Sequence, residues 1–459
     1  MSPIFSIRPL GSASGERMLA RLAARRGRVL DASTERAARR LVESVRRWGD
    51  AALLAAVAEL DGVAAASVGE LRLRPSAADR QGVGLPAGFA AALEASIAAV
   101  EAYHRGQVVP GFRQELDGVE LVERREPLAR VAVYVPGGRA CYPSTAVMTV
   151  VPARVAGVGE IVVVTPPRAW AEHVTLRYTL ARLGVEEIWG CGGAHAVAAL
   201  AFGTASIARV DKIVGPGNAW VTAAKRQVAG EVAIDGLAGP SEVVIVAGAD
   251  ASPELVAADL LAQAEHDPKA AAILLTPSRA LARAVAVELE RQLPRLATAA
   301  TARAALAALG GALLVGDLDE AIAAVARIAP EHLQLVGEPF ESAAERFGNA
   351  GAIFVGAMTP EVFGDYVAGP SHVLPTCGTA RFASALGVED FVRRSHLVRV
   401  AAASAPRLAA AARVLAEAEG LPAHAEAARR REAGGEAGSL RLASPEVATR
   451  VPSGPRKAR

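Results

Sequence analysis

The sequence has few of the residues that mark several classes of protein. Aromatic residues make up only 4% of its 459 residues, and 50 basic residues against 48 acidic ones leave a net charge of +2. A nucleic-acid-binding surface needs clustered basic charge, and this composition does not indicate one. Three cysteines, Cys141, Cys191 and Cys377, are too few and too scattered for a disulfide framework or a CxxC metal pair.

A secretion signal and long hydrophobic runs are also missing. The N-terminal MSPIFSIRPL has no basic segment followed by an apolar core. The most apolar stretch, residues 194–208, is interrupted by Gly203 and Thr204 and is too short to cross a bilayer. We therefore expect a cytoplasmic, soluble enzyme without a membrane partner and, at this length, two principal domains.

The chain up to about Gly106 has helical periodicity. In residues 34–48, apolar side chains recur at three- and four-residue intervals, and Gly49-Asp50 separates this helix from a second one that runs to Leu60. Residues 86–104 predict a longer helix. We expect these helices to be packing elements without site residues, and His104 to lie on the surface.

From Val131 onward, strands and helices alternate. Strands are predicted at 131–135, 161–165, 187–189 and 212–214, with glycine-containing loops after the first, third and fourth. This alternation predicts right-handed βαβ units on a parallel sheet, whose ligands bind beyond the carboxyl ends of the strands. The GCGGAH segment is only half of a GxGxxG fingerprint, so nucleotide binding here would be atypical.

A second strand–helix series follows Pro240, with strands predicted at 243–246, 271–275, 313–315, 333–336 and 352–355. The predicted class is α/β, with two Rossmann-like parallel-sheet domains, N-terminal helices and a small C-terminal helical segment. We expect a hinge near residues 237–240 and helical structure after Phe391. The predicted divisions are an N-terminal helical region that packs on the metal-site domain (1–130), a first α/β domain (131–237), a second α/β domain (238–380), a C-terminal dimer-contact segment (381–428) and a disordered tail (429–459).

Four polar clusters interrupt apolar surroundings at the ends of elements. Gln263 and His266 are three residues apart at a helix end, so they can hold one metal ion, or they can form a polar helix end that faces water. The set is Gln263 with His266, Glu331 with His332, Asp365-Tyr366 with His372, and Glu419 with His424. Either these clusters form a shared site or each is a separate group of hydrogen-bonded residues.

Several longer motifs resemble histidinol dehydrogenase. They are AGPSEV, DLLAQAEHDP, IAPEHLQL, GDYVAGPSHVLPT and EGLPAHAEA, together with YVPGG and VGPGNAWVTAAKRQV. The resemblance covers roughly residues 5–428. It implies a two-step oxidation of L-histidinol to L-histidine through L-histidinal, the last two steps of histidine biosynthesis, with two NAD⁺ reduced in sequence.

The resemblance also implies a role for each cluster. Gln263, His266, Asp365 and His424 match residues that bind one Zn²⁺, which orients the substrate through its imidazole and amino nitrogens. His332 matches the base that removes the alcohol proton, and Glu331 matches the base that activates water for attack on the aldehyde. The alternative for this pair is an exposed helix-to-strand linker.

Substrate and cofactor residues follow from the same motifs. The positions that match the substrate-binding set are Ser241, Gln263, His266, His332, Asp365, His372, Glu419 and His424. Those that match NAD contacts are Tyr134, His195 and Asn218, of which His195 stands where the family usually has glutamine. Cys141 and Cys191, beside glycine loops, are expected to be buried thiols without a catalytic role. The family also implies a symmetric homodimer in which Glu419 and His424 complete the partner's site.

Two other functions remain open. One is a zinc dehydrogenase on the same scaffold that acts on another small polyol or sulfonated alcohol, against which Glu419 and His372 are the discriminating residues. The other is a non-catalytic zinc-binding or scaffold protein. The presence of both Glu331 and His332 counts against the latter, because structural zinc needs neither base.

Overall fold

The computed structural model describes residues 4–25, 30–137 and 142–432. The strands are β1 (Ser6–Pro9), β2 (Arg72–Leu73), β3 (Arg113–Leu116), β4 (Val119–Pro127), β5 (Arg130–Tyr134), β6 (Glu160–Thr165), β7 (Glu187–Gly190), β8 (Lys212–Val214), β9 (Ala233–Ile234), β10 (Glu242–Ala247), β11 (Ala271–Thr276), β12 (Gly310–Leu314), β13 (His332–Val336), β14 (Ala352–Val355) and β15 (Val392–Val400). The helices are α1 (Ala13–Ala23), α2 (Ala32–Trp48), α3 (Asp50–Ala56), α4 (Ala77–Gln81), α5 (Phe89–Arg105), α6 (Pro143–Val155), α7 (Pro167–Glu172), α8 (Val174–Arg182), α9 (Gly193–Phe202), α10 (Ala219–Val228), α11 (Pro253–Ala264), α12 (Arg279–Gln292), α13 (Ala299–Leu309), α14 (Leu318–Ile328), α15 (Glu361–Tyr366), α16 (Ala405–Ala418) and α17 (Pro422–Arg429).

The first six-stranded sheet has the order β2-β7-β6-β5-β8-β9. Its strands pair in parallel, except that β2 pairs antiparallel with β7 at one edge. The central strands are apolar because helices cover both faces, and α6 and α9 are buried almost throughout. The first predicted βαβ series is therefore confirmed.

The second six-stranded sheet has the order β1-β12-β11-β10-β13-β14, and every pairing in it is parallel. All residues of β10, β11 and β13 are buried. The five strands predicted after Pro240 all form, so the predicted α/β class with two parallel sheets is confirmed.

The N-terminal region differs from the prediction in two respects. It contributes β1 to an edge of the second sheet, where its terminal Pro9 is tolerated. His104 is fully buried instead of exposed, and its Nδ1 lies 2.7 Å from Gln107 Oε1. The reason is helical phase, because His104 lies on the face of α5 that also buries Leu93 and Val100.

The segment after Phe391 was predicted to be helical, but it first forms β15. This strand joins β4 and β3 in a small three-stranded sheet. Six of its nine residues are exposed and three are arginines, so no apolar run marked it as a strand. The expected helix follows as α16.

The chain divides into two units. The first comprises Met1–Val109 and Pro127–Arg393 and holds both six-stranded sheets, and the second comprises Pro110–Glu126 and Arg394–Arg459. The domain boundaries predicted from the sequence remain a prediction. Of the predicted disordered tail, residues 433–459 lie outside the described residues. None of the helices described above is long and apolar enough to cross a membrane.

Candidate active site

Glu331 and His332 lie at the amino end of β13. The preceding helix α14 ends at Ile328, and Ala329 turns the chain with a φ of +51°. Ser241 and Glu242 occupy the same edge of the sheet, because β10 is the parallel neighbour of β13. The residues of the clusters in this unit therefore gather at the amino edge of the second sheet.

Glu331 is a buried carboxylate that the neighbouring strand holds in place. The Ser241 hydroxyl donates a hydrogen bond to its Oε2, and the Glu242 amide donates another at 3.1 Å. Burial raises the pKa of Glu331 to about 7, and the nearby Asp365 charge adds to this rise, whereas the two hydrogen bonds oppose it. A carboxyl group with this pKa can accept a proton near neutral pH.

His332 is buried beside it and is oriented by the backbone. Its Nδ1 lies 3.3 Å from the Glu242 carbonyl oxygen, and its Nε2 lies 3.8 Å from Asp365 Oδ1. Burial lowers the pKa of His332, although the Asp365 charge opposes the change. In a neutral ring, a proton on Nδ1 can be donated to the Glu242 carbonyl, which leaves Nε2 as the free base.

Helix α15 and the loop after it bring Asp365 and His372 to the same place. His372 Nδ1 donates a hydrogen bond to the Asp365 carbonyl at 3.0 Å, and its Nε2 lies 3.4 Å from Thr145 Oγ1 on α6. Burial lowers the pKa of His372.

Gln263 has the surroundings that best fit a metal ligand. Its side chain is 0% exposed near the end of α11, and neither Oε1 nor Nε2 has a hydrogen-bond partner. A buried amide is normally satisfied, so its oxygen fits a metal ion that completes the site. His266 is exposed just beyond the helix and interacts electrostatically with Glu331 and His372.

In the part of the chain that the structure describes, no three His, Cys, Asp or Glu side chains form a metal-binding group. Of the four predicted ligands, only His266 and Asp365 in the first unit belong to those residue types, and the shared metal site remains a prediction. Gln263 is an amide, and His424 lies on α17 in the second unit. Glu419, at the end of α16, also belongs to the second unit, and both residues are exposed.

Glu361 also lies in this site, although it was not among the residues predicted from the sequence. This residue begins α15, one helical turn before Asp365, and it is almost completely buried. Its Oε2 has no hydrogen-bond partner and lies 3.7 Å from His332 Nδ1. Burial raises the pKa of Glu361 well above its ordinary value. The four-residue spacing of Glu361 and Asp365 was the signal that could have identified it.

Arg25 and Glu242 form a second polar group that the sequence did not reveal. Arg25 Nη1 lies 2.8 Å from Glu242 Oε2, and its Nη2 donates to the Pro240 carbonyl at 2.8 Å. Both side chains are buried. This pair fixes the beginning of β10, where the Glu242 amide contacts Glu331 and the Glu242 carbonyl contacts His332.

The predicted cofactor residues lie at the carboxyl edge of the first sheet. The Tyr134 hydroxyl accepts a hydrogen bond from the Gly193 amide at 3.0 Å. His195 Nε2 lies 2.9 Å from Asp61 Oδ2, which also accepts from the Gly192 amide at 3.0 Å. Asp61 comes from the N-terminal helical region, which was expected to supply no site residue. Whether His195 contacts a cofactor remains a prediction.

Asn218 caps the amino end of α10. Its Oδ1 accepts from the Trp220 and Val221 amides at 3.0 and 3.2 Å, and the residue is exposed. The amino end of a ten-residue helix carries positive charge that suits a pyrophosphate. Cys191, in the adjacent loop, is a buried thiol whose pKa is raised by burial, as expected, whereas Cys141 lies outside the described residues.

Comparisons with known proteins point to one family. The family model described as histidinol dehydrogenase matches residues 24–432. A histidinol dehydrogenase of Synechococcus sp. is 48% identical over 400 residues, which cover 87% of this chain and 92% of that protein. One of Thermus thermophilus is 46% identical over 402 residues, with 88% and 95% covered. The crystal structure of histidinol dehydrogenase from Elizabethkingia anophelis superposes with a TM-score of 0.84 at 30% identity, covering 94% of this chain and 98% of that one.

Proposed function

Since this chain belongs to the histidinol dehydrogenase family, we propose that it catalyses the NAD-linked, zinc-dependent oxidation of L-histidinol to L-histidine through L-histidinal, which completes histidine biosynthesis. The observation that carries this proposal is the buried Glu331–His332 pair beside Asp365. Two bases with different environments suit two successive oxidations at one carbon. The balanced reaction consumes the alcohol, two NAD⁺ and water, and yields the carboxylate, two NADH and three protons.

In the first oxidation, His332 removes the alcohol proton at Nε2. Its lowered pKa keeps the imidazole neutral, and the Glu242 carbonyl holds the Nδ1 proton. When bound, NAD⁺ accepts the hydride in each oxidation. The Asp365 carboxylate, whose Oδ1 lies 3.8 Å from Nε2, can stabilise the imidazolium that His332 becomes after it takes the proton.

In the second oxidation, Glu331 removes a proton from the water that attacks the aldehyde. Its pKa of about 7 leaves a large fraction ionised at neutral pH. The Ser241 hydroxyl and the Glu242 amide hold the carboxylate in one orientation, so its other oxygen is left for water. Because both bases occupy one site, the aldehyde need not leave between the steps.

Gln263, His266, Asp365 and His424 would hold Zn²⁺, and the unpartnered amide of Gln263 supports this assignment. When bound, the zinc orients the imidazole and amino nitrogens of the substrate. Ser241, His372 and Glu419, together with His332, complete the substrate-binding set, and Tyr134, His195 and Asn218 serve the cofactor. We further propose a cytoplasmic homodimer in which each site takes Glu419 and His424 from the partner.

Substrate choice and metal dependence test the proposal. Purified protein should reduce NAD⁺ with L-histidinol, a strong chelator should abolish this activity, and Zn²⁺ should restore it. Activity that is indifferent to the chelator would contradict the metal assignment. A higher kcat/KM with another small polyol or a sulfonated alcohol would favour the alternative, a related zinc dehydrogenase with a different substrate.

A further inference from the structure

A buried ion pair lies beneath one of the glycine loops. Lys225, on α10, and Asp235, just after β9, have side chains that are 3% and 6% exposed. Their Nζ and Oδ1 atoms are 2.5 Å apart. Removing two charges from water is costly, and such pairs often add little to stability compared with apolar residues of the same size. A role in holding a functional loop gives this pair another reason to be present.

Both backbone groups of Gly215 are bound by this pair. The Gly215 amide donates to Asp235 Oδ2 at 2.7 Å, and Lys225 Nζ donates to the Gly215 carbonyl at 2.7 Å. Asp235 Oδ1 also accepts from the Gly236 amide at 2.8 Å. One ion pair therefore fixes the first residue of the Gly215–Asn218 loop from both sides.

Gly215 transmits this constraint to the predicted cofactor residues. Its φ of +104° is a conformation that other residues rarely adopt, and a Cβ atom there would lie 2.3 Å from the Tyr134 carbonyl oxygen. The Tyr134 hydroxyl in turn accepts from Gly193 in the adjacent loop. The other end of the Gly215 loop is Asn218, the cap of α10.

We propose that Lys225 and Asp235 are positioning residues for the dinucleotide: they set the affinity for NAD⁺ by holding the Gly215–Asn218 loop against Tyr134. The inference rests on the proposed function, since it assumes that NAD⁺ binds at this edge. Neither residue needs to contact the cofactor. Without the pair, NAD⁺ must order the loop as it binds, and this ordering lowers the affinity.

The test compares Lys225→Met with a matched control, Lys212→Met. Lys212 lies at the amino end of β8, the strand that leads to Gly215, and its Nζ is 2.8 Å from Asp390 Oδ1. Both variants lose a largely buried lysine that is paired with an aspartate, but only Lys225 lies under the loop. Calorimetric titration with NAD⁺ gives the Kd without turnover, and thermal unfolding gives the stability of each variant.

For Lys225→Met, the Kd and the KM for NAD⁺ should rise about ten- to a hundredfold, by analogy with the loss of a residue that orients a metal ligand, which lowers metal affinity or activity by that factor. The kcat at saturating NAD⁺, the zinc content and the Kd for L-histidinol should stay within about twofold of the unchanged protein, because the hydrogen bonds and ion pair of Lys225 and Asp235 go to each other, Gly215 and Gly236, and not to Glu331 or His332. Lys212→Met should lower the unfolding temperature and leave the Kd for NAD⁺ unchanged.

An unchanged Kd in folded Lys225→Met, or an equal rise in Lys212→Met, would overturn the inference. If Lys225→Met does not fold, Asp235→Asn is the milder variant, because it removes the charge and keeps the size of the side chain. A raised Kd for NAD⁺ in that variant supports the inference, and an unchanged one overturns it. If the unchanged protein does not bind NAD⁺ at all, the cofactor assignment of the proposed function fails, and the inference fails with it.

Discussion

At the scale of single residues, ionising the buried Glu331 carboxyl should destabilise the folded protein, so its stability should fall as the pH rises. Its pKa is raised from an ordinary value of 4.5 to about 7, so the folded protein binds this proton more tightly than the unfolded chain does. This tighter proton binding stabilises the folded state; the contribution is complete below pH 4.5 and is lost as the pH rises through 7. In metal-free protein, Glu331→Gln should therefore raise the unfolding free energy at pH 8 by up to about 3 kcal/mol, with little effect at pH 4.5.

Chemical denaturation at the two pH values measures this difference. Glu59→Gln, at an exposed position, is the control, and its effect should be small at both pH values. A Glu331→Gln variant that is no more stable than the unchanged protein at pH 8 would contradict the raised pKa.

Substitution of each base should slow a different one of the two oxidations. His332→Asn should slow the oxidation of L-histidinol most, because it removes the imidazole that lies next to Asp365. Glu331→Gln should slow the oxidation of L-histidinal more. Loss of a general base typically costs roughly 10²–10⁴-fold in rate. Stopped-flow measurement of NADH formation from each substrate checks this, and equal losses in both half-reactions would exclude the division of labour.

Among single residues, those in recognisable motifs could be predicted from the sequence. Those whose contacts form only in the folded chain could not. Glu331 and His332 stand together in IAPEHLQL and could be assigned. Glu361 and Asp61 could not, because their importance comes from burial and from contacts distant in sequence, such as the Asp61–His195 pair. His104 was assigned to the surface because it is polar, although its spacing from Leu93 and Val100 places it on the buried face of α5.

At the scale of elements, substitution can separate the helix cap that Asn218 forms from its proposed contact with NAD⁺. As the cap of α10, it accepts two backbone hydrogen bonds. Asn218→Ala should cost about 1 kcal/mol of stability, whereas Asn218→Asp retains the cap and should cost little. If the amide also contacts NAD⁺, both variants should bind it about tenfold more weakly, since a hydrogen bond to a charged group is lost in each.

Thermal unfolding and NAD⁺ titration of both variants distinguish the two roles. The control is Ser278→Ala, which removes the cap of α12, where Ser278 accepts from the Leu281 amide at 3.1 Å. It should lose similar stability without a change in NAD⁺ affinity. If Asn218→Asp binds NAD⁺ as tightly as the unchanged protein, Asn218 is a cap only.

Strands were predicted where their composition is apolar and missed where it is not. The buried parallel strands β10 and β11 are continuous apolar runs, because helices cover both faces of the sheet. Strands β1 and β15 have exposed, polar or charged residues, and their pairing depends on partners far along the chain. Even so, the rule that ligands bind beyond the carboxyl ends of parallel strands points only to the loops with the predicted cofactor residues. Glu331 and His332 lie at the opposite, amino edge of their sheet, which only the assembled structure reveals.

At the scale of the whole molecule, the proposed homodimer predicts complementation between inactive subunits. Asp365 lies in the first unit and His424 in the second. If His424 acts in the partner's site, a dimer of one Asp365→Asn subunit and one His424→Ala subunit has one intact site. Random mixing makes half of the dimers mixed, so co-refolding the two variants should restore about a quarter of the unmixed activity, from two-fold symmetry.

Each variant refolded alone should stay inactive, which is the control. Mass spectrometry of the native mixture shows whether mixed dimers have formed. Mixed dimers without activity would mean that each chain supplies its own His424. The sequence could suggest this arrangement only through family resemblance, because a single chain contains no pattern that tells a site completed by the partner from one completed within the chain.

If one site carries out both oxidations, the ratio of NADH formed to L-histidinol consumed shows it most directly. With L-histidinol limiting and NAD⁺ in excess, absorbance gives the NADH and chromatography gives the remaining L-histidinol and the products. We expect two NADH per L-histidinol, with L-histidine as the product and no accumulation of the aldehyde. One NADH per L-histidinol, with L-histidinal accumulating, would contradict it.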